Sequence, residues 1–372
     1  MCDRALVMSA DYSSVPLVIP ALNPDNRIHT FIRSLREFGF DTIIVVGDGS
    51  DELHKDGVFR ELNEQGEVVL LRNYHGKGVA LKDGLSYVNE HFPDCIGVVT
   101  ADYDGRQSAA SVRDVAAKLL EGEKFVLGTR DIAGSNISKK MRRGYKLVEW
   151  TFRILYSKKI KDIQTGLRGI SKELLARFIE IKGNRYEYEP RMIVEAVRED
   201  IPICEVEVGA INPIDAGDET IEVSDNYHPF SDSIKIALSL FLYFIKYAVT
   251  SISATAIDFA LFYILSSYVF NNMELGICVF LSTVLARAVS STISFMVNRK
   301  LVFKADGRIA VRNVLLYYAL VTVIMLSSAE LVTLFVRLFG GGKTFTKLFV
   351  DLILFFVSYQ IQNRVIFKKD KK

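Results

Sequence analysis

Two hydrophobic rhythms divide this chain. Up to about Pro213, short apolar runs alternate with amphipathic stretches, and from Ile234 onward long apolar runs dominate. Residues 15–19, 42–46, 67–71, 95–100 and 124–127 have strand length and few polar interruptions, which predicts short, largely buried strands. Between them, 25–38, 58–65, 77–91 and 111–121 carry helical spacing. Strand–helix alternation predicts an α/β fold with a mostly parallel sheet covered on both faces. Ligands on such sheets bind beyond the carboxyl ends of the strands. The polar clusters fall there: Asn23-Pro24-Asp25 after the first strand, Gly47-Asp48-Gly49-Ser50 after the second and Asp102-Tyr103-Asp104 after the fourth.

The second rhythm predicts four membrane helices, at about 247–268, 275–297, 314–338 and 347–366. Each is long enough to cross ~30 Å of hydrocarbon. Ile234, Leu238, Phe241 and Ile245 share one face of a preceding helix, which suits an interfacial segment. The expected domains are therefore 1–212, a linker and juxtamembrane helix at 213–246, and a membrane domain at 247–372. Arg299, Lys300, Lys304, Arg308 and Arg312 crowd the second loop, and Lys368, Lys369, Lys371 and Lys372 end the chain, whereas Asn271-Asn272-Met273-Glu274 is not basic. Positive charge stays inside, so the first domain and both termini are expected to be cytoplasmic. Asp258 and Arg287 fall at mid-bilayer depth; unpaired charge is costly there, so they are expected to face the bundle and pair.

Net charge narrows the picture further. At +2 over 372 residues there is no basic field for nucleic acid. The four cysteines are scattered, with no C-x-x-C pair, so neither a zinc set nor a disulfide framework is expected. No G-x-G-x-x-G follows the first strand and no Walker A loop occurs, which argues against dehydrogenase and NTPase chemistry.

Candidate chemistry concentrates at Asp102 and Asp104. Two carboxylates spaced i, i+2 at a strand end, with Gly105 to turn the chain, make a hard, oxygen-rich corner for Mg²⁺ or Mn²⁺. Gly76-Lys77-Gly78 opens a helix, where backbone N–H groups and an ammonium can meet phosphate.

In order along the chain stand Val18-Ile19-Pro20-Ala21-Leu22-Asn23-Pro24-Asp25, Val45-Val46-Gly47-Asp48-Gly49-Ser50, Gly76-Lys77-Gly78 and Thr100-Ala101-Asp102-Tyr103-Asp104-Gly105. Gly128-Thr129-Arg130, Asp162-Ile163-Gln164-Thr165-Gly166-Leu167-Arg168 and Arg185-Tyr186-Glu187-Tyr188-Glu189 follow. With these motifs the first half resembles a family 2 glycosyltransferase of GT-A fold, of the kind that includes dolichyl- and polyprenyl-phosphate sugar synthases. The resemblance implies that Pro20, Ala21, Asn23 and Asp48 line the base and ribose pocket and that Lys77 lies near the nucleotide. It implies metal on Asp102 and Asp104, with Arg130 and a cation such as Lys140 or Arg142 on the donor diphosphate or the lipid phosphate. Asp162, Gln164 and Thr165 are expected to face the sugar, and Glu187 and Glu189 to flank the acceptor.

The chain departs from the family pattern in places. Gly47 stands where a second aspartate is usual, Tyr145 where asparagine is common, and Arg106 where relatives place a metal-supporting glutamine; Gln107 could substitute if the loop shifts by one residue.

The membrane half contains an internal echo. Ser294 to Lys304 (SFMVNRKLVFK) parallels Ser358 to Lys368 (SYQIQNRVIFK), which suggests two related hairpins. About 241–369 resembles the GtrA-like membrane domain.

The implied activity is transfer of one sugar, with inversion, from a nucleotide-sugar such as GDP-mannose or UDP-glucose to polyprenyl phosphate at a bacterial or archaeal plasma membrane. Partners are then the donor, the lipid acceptor and membrane lipids; self-association is left open. A processive polysaccharide synthase is disfavoured, because no Q-x-x-R-W run occurs and Trp150 is the sole tryptophan. A lipid-linked sugar transporter or scaffold with a catalytically altered transferase domain is the alternative.

Overall fold

The computed structural model describes residues 11–48, 57–65, 69–73, 76–103, 107–132, 134, 138–156, 158–210, 234, 236–238, 240–303, 311–339 and 343–367. It divides into two compact units, Met1–Leu240 and Phe241–Lys372.

The first unit is built on a seven-stranded sheet. Its strands are β1 (Leu17–Ala21), β2 (Ile43–Asp48), β3 (Val69–Asn73), β4 (Gly97–Thr100), β5 (Phe125–Asp131), β6 (Arg168–Ser171) and β7 (Ile203–Ala210). They lie in the order β3-β2-β1-β4-β6-β5-β7. Every pairing is parallel except those of β6, which runs against both β4 and β5. The sheet is thus mostly parallel, as the strand–helix rhythm predicts; the reversed β6 and the edge strand β7 are additions to that expectation.

The helices are α1 (Arg27–Glu37), α2 (Val58–Gln65), α3 (Lys77–His91), α4 (Ala109–Leu120), α5 (Lys139–Tyr156), α6 (Lys172–Ile179) and α7 (Tyr188–Arg198). α1 buries Ile28, Phe31, Ile32 and Leu35, an i, i+3, i+4, i+7 stripe. They join Leu17, Ile19, Val45, Val99 and Val115 in one core. α3 lies close on the sheet: a Cβ at Gly84 would come within 2.4 Å of Val18 Cγ1. The expected juxtamembrane segment is helical at its described positions, with Ile236, Ala237 and Leu240 buried and Ile234 and Leu238 exposed. The Tyr156 hydroxyl at the end of α5 donates to the Leu240 carbonyl at 3.0 Å.

The second unit holds α8 (Leu242–Ile264), α9 (Leu275–Val297), α10 (Val311–Phe339) and α11 (Lys343–Ile361). By length and composition, Phe244–Val269 and Val311–Ser328 suffice to cross a membrane. The sequence echo has a structural counterpart. α9 runs into a π-helical turn at Asn298–Val302, and α11 into one at Gln362–Ile366. The echoed residues meet: the Asn298 amide donates to Gln362 Oε1 at 3.2 Å, and the Phe303 and Phe367 rings stack at 5.0 Å. Tyr247 and Ser358 complete this buried polar knot through Gln362.

Asp258 and Arg287 pair as expected, at 3.0 Å, and Ser290 donates to the same carboxylate. The expected burial does not follow. Asp258 is 14% exposed but Arg287 is 63% exposed, so the guanidinium looks outward from the helices. A long side chain on α9 reaches the carboxylate around the helix flank, and so pairs without entering the interior.

Candidate active site

Sequence places the candidate residues where the sheet changes direction. β1 has β2 on one side and β4 on the other, so the chain order reverses there, and such a switch point opens a crevice at the carboxyl ends. β1 ends in Pro20 and Ala21, paired with Val46 and Gly47 of β2. On its other side the ladder to β4 stops at Val18 opposite Thr100, with one further bond from the Ala101 N–H to the Val18 carbonyl. Proline cannot donate to a ladder, and Pro20 sits where that side of the ladder has ended. The Tyr103 hydroxyl then ties the two strand ends together by donating to the Leu22 carbonyl at 2.7 Å. Asn23 follows with φ +45°. Asp48 ends β2.

Asp102 is the hub. Its Oδ1 takes the Lys77 ammonium at 2.8 Å. Gln107 braces it twice: its Nε2 donates to Asp102 Oδ2 at 3.2 Å, and its Oε1 accepts from the Asp102 N–H at 3.0 Å. Gln107 therefore serves the aspartate directly, with its carbonyl oxygen already engaged. Gly166 makes room: a Cβ there would fall 2.2 Å from Asp102 Oδ2. Asp104 and Arg106 lie outside the described residues.

Lys77 opens α3, after Gly76 at φ +104°. Its ammonium also meets Glu189 Oε1 at 3.2 Å. Burial works against its charge, but Asp102 and Glu189 outweigh burial and hold it protonated. Glu189, in the first turn of α7, is 4% exposed, and burial pushes its carboxyl above the usual range despite Lys77 and Arg168. Acids at helix starts are usually solvated; this one is inside. Glu187 remains at the surface side of that turn, where it accepts the Asn184 N–H at 3.1 Å.

A second ion pair stands beside the first. Arg130 at the end of β5 grips Asp162 in a fork, Nε to Oδ2 at 2.5 Å and Nη2 to Oδ1 at 3.0 Å. Both side chains are nearly sealed, 5% and 0% exposed. Burial opposes the Arg130 charge, but Asp162 overrides it, and the field of Asp102 reaches the same guanidinium. Tyr145 lies under it at 5.4 Å. Asp162 and Thr165, expected to face the sugar, both hold protein partners, and Asp162 lines the same cavity as Arg130 and Gln164. The buried Thr165 hydroxyl donates to the Gly128 carbonyl at 2.6 Å and accepts from the Leu167 N–H. Gln164 stays partly open.

Arg168 was not among the expected site residues. It is buried, and its guanidinium donates to the carbonyls of Thr165, Ile163 and Glu189, riveting the 162–167 loop to α7. The available signal was an arginine closing an otherwise apolar strand entrance.

Arg130 and Gln164 border a cavity of about 450 Å³, which Arg142, Lys146, Lys159 and Lys161 also line. Lys140 is exposed at the start of α5. Asp131, Glu149, Asp162 and Glu207 line the cavity as well, so the arrangement offers one carboxylate corner at the switch point and a cavity of mixed charge bordered by Arg130.

Residues 17–178 match glycosyl transferase family 2, and residues 246–367 match the GtrA/DPMS transmembrane domain. The chain carries a family 2 glycosyltransferase domain followed by a GtrA/DPMS membrane domain. A UDP-N-acetylglucosamine–dolichyl-phosphate N-acetylglucosaminyltransferase of Methanococcus voltae is 27% identical over 221 residues, covering 52% of this chain and 84% of that protein. An uncharacterized protein of Methanocaldococcus jannaschii is 28% identical over 203 residues, covering 52% and 80%. Among solved structures, glucosyl-3-phosphoglycerate synthase from Mycobacterium tuberculosis, in complex with Mn²⁺, UDP and glucosyl-3-phosphoglycerate, has TM-score 0.46 and 20% identity, covering 61% and 78%.

Proposed function

We propose that this protein transfers one sugar from a nucleotide-sugar to a polyprenyl phosphate, with its catalytic unit and both termini on the cytoplasmic side. The observation that carries the reading is the Lys77–Asp102–Glu189 network at the switch point, with the field of Asp102 reaching the sealed Arg130–Asp162 pair, whose arginine borders a polar cavity. A lipid phosphate is anionic at neutral pH, so the attacking oxygen needs no strong base. The work left to the protein is alignment and charge control.

A divalent ion suits this corner in chemistry: Asp102 offers hard carboxylate oxygens, and the ammonium on Oδ1 marks the spot as one that attracts positive charge. Asp102 and Asp104 would hold Mg²⁺ or Mn²⁺, which when bound neutralises the leaving diphosphate. Gln107 keeps the Asp102 carboxylate oriented. Lys77 supplies a fixed positive charge at the helix start. Arg130, aligned by Asp162 and Tyr145, presents the remaining edge of its guanidinium toward the cavity. Arg142 and Lys146 receive the acceptor phosphate, and Gln164 orients the sugar between the two.

The test is incubation of membranes with labelled nucleotide-sugars and polyprenyl phosphate, followed by lipid extraction. Label in the lipid fraction that needs Mg²⁺ or Mn²⁺ and disappears in Asp104→Ala is the expected result. Metal-independent donor binding with no turnover would instead favour a transporter or scaffold.

A further inference from the structure

Two charges inside the helices of the membrane unit, away from the helix ends, are not enclosed by its own fold. Arg287 on α9 is 63% exposed even though it pairs with Asp258. Glu330 on α10 is exposed, and its carboxylate has no hydrogen-bond or ion-pair partner among the described residues. Both stand on helices of the unit that matches the transmembrane family, and where such a helix crosses the bilayer an outward-facing side chain meets hydrocarbon. Charges facing lipid are rare because they cost heavily; such groups face protein or a polar cavity.

We propose that α9 and α10 form a contact face for a second copy of this chain, with Arg287 of one copy meeting Glu330 of the other. The two charges have opposite sign and each copy brings both. A lipid phosphate would satisfy Arg287 but leave Glu330 bare. The surroundings suit a helix rather than a head group. Exposed Val284, Leu285 and Val289 flank Arg287, and exposed Leu326 and Leu334 stand one turn to either side of Glu330.

Depth is compatible. The Phe295 and Tyr317 rings lie 5.2 Å apart, which levels α9 against α10. The Thr292 and Tyr318 hydroxyls, 2.7 Å apart, give the antiparallel sense. At 1.5 Å per residue, Arg287 lies about 12 Å from that level and Glu330 about 20 Å, on the same side. Side chains lean toward the N-terminus of their own helix. The helices run in opposite directions, so Arg287 leans toward the level of Glu330 and Glu330 leans back toward Arg287. The offset of about 8 Å is within the joint reach of an arginine and a glutamate.

The contact depends on the membrane unit alone, so it stands or falls independently of the sugar-transfer reading. The test uses the full chain in lipid nanodiscs and in mild detergent, with oligomer mass read by native mass spectrometry. The wild type is expected as a dimer or larger ring, and Glu330→Arg as a monomer with unchanged thermal unfolding. Single-cysteine chains, Arg287→Cys carrying one tag and Glu330→Cys carrying another, with the native cysteines replaced, are expected to cross-link when mixed. A monomeric wild type, an unchanged mass in Glu330→Arg, or a phospholipid retained on Arg287 without self-association would each overturn the proposal.

Discussion

The two halves of this molecule treat charge in opposite ways. In the sheet domain the strongest ion pair is sealed: Arg130 and Asp162 are 5% and 0% exposed and joined by a fork of hydrogen bonds. In the membrane unit the corresponding pair is lopsided, with Asp258 sheltered and Arg287 looking outward. Around the first domain, exposure to water costs a charge nothing, so a buried charge is the one that needs explaining. Around the second, the outer medium is hydrocarbon, and exposure is the expensive state. The same accessibility therefore has opposite meaning on the two sides of Leu240. Burial singles out Asp162, Arg130, Arg168 and Glu189 as organisers of the site, whereas exposure singles out Arg287 and Glu330.

The largest effect should come from breaking the sealed pair. Arg130→Ala leaves Asp162 charged and buried, which should cost about 3–5 kcal/mol of domain stability. Arg130→Met with Asp162→Leu should cost less than Arg130→Ala alone, because no charge is stranded. Urea titration of the full chain in detergent, followed by a fluorescent probe on the sheet domain, measures both. If the double variant is the less stable, the pair is not the sealed unit described here. Lys77 comes next. Lys77→Met leaves Asp102 beside Glu189 with no cation between them. Transfer should fall about 10²–10³-fold, as when one preorganised donor is removed from a charged transition state. The same variant should gain more thermal stability from added Mn²⁺ than the wild type does, because the metal then supplies the missing charge. Equal gains would detach Lys77 from the metal corner.

Much of this is legible in the amino-acid sequence alone. The alternation of apolar runs gave five strands, their parallel sense and the carboxyl-end location of Asp48 and Asp102. The echo between 294–304 and 358–368 pointed to two related hairpins, but not to the contact between the equivalent residues Asn298 and Gln362. Period and spacing report which face of an element is buried, and those features depend on period. What stayed hidden depends on long-range contacts. Nothing local says that Asp162 is held by Arg130, 32 residues away in sequence, or that the Thr165 hydroxyl turns to Gly128. Glu189 has the pattern of a solvated helix start; only the packing of α7 against Lys77 and Arg168 places it inside. Arg287 was misplaced for a related reason. Charge cost demands a partner, which Asp258 provides, but it does not dictate which side of the helix the partner is reached from.

Gly166 tests how tightly the site is fitted. Gly166→Ala would place a methyl 2.2 Å from Asp102 Oδ2, so the carboxylate or the 162–167 loop must shift. Such overpacking typically costs about 1–3 kcal/mol. The expected signature is a weaker apparent affinity for Mn²⁺ in transfer assays, with the donor KM changed less. A variant with unaltered metal dependence would show that Asp102 has slack the sealed-domain picture denies.

The smallest effect belongs to the membrane pair, and it is the sharpest check of the comparison. Hydrogen-bonded partners in membrane helices couple by about 0.6 kcal/mol on average and up to about 1.7 kcal/mol. Asp258→Ala and Arg287→Ala should therefore each destabilise modestly. The double variant should be more stable than the sum of the two singles predicts, by an amount in that range, in steric-trap or denaturant unfolding within bicelles. The coupling should be well below that of Arg130 with Asp162, since the outward guanidinium is only partly committed to Asp258. Additive losses would remove the pair altogether. A coupling as large as that in the sheet domain would mean that Arg287 is fully committed inside one chain, leaving no charge to offer a second copy.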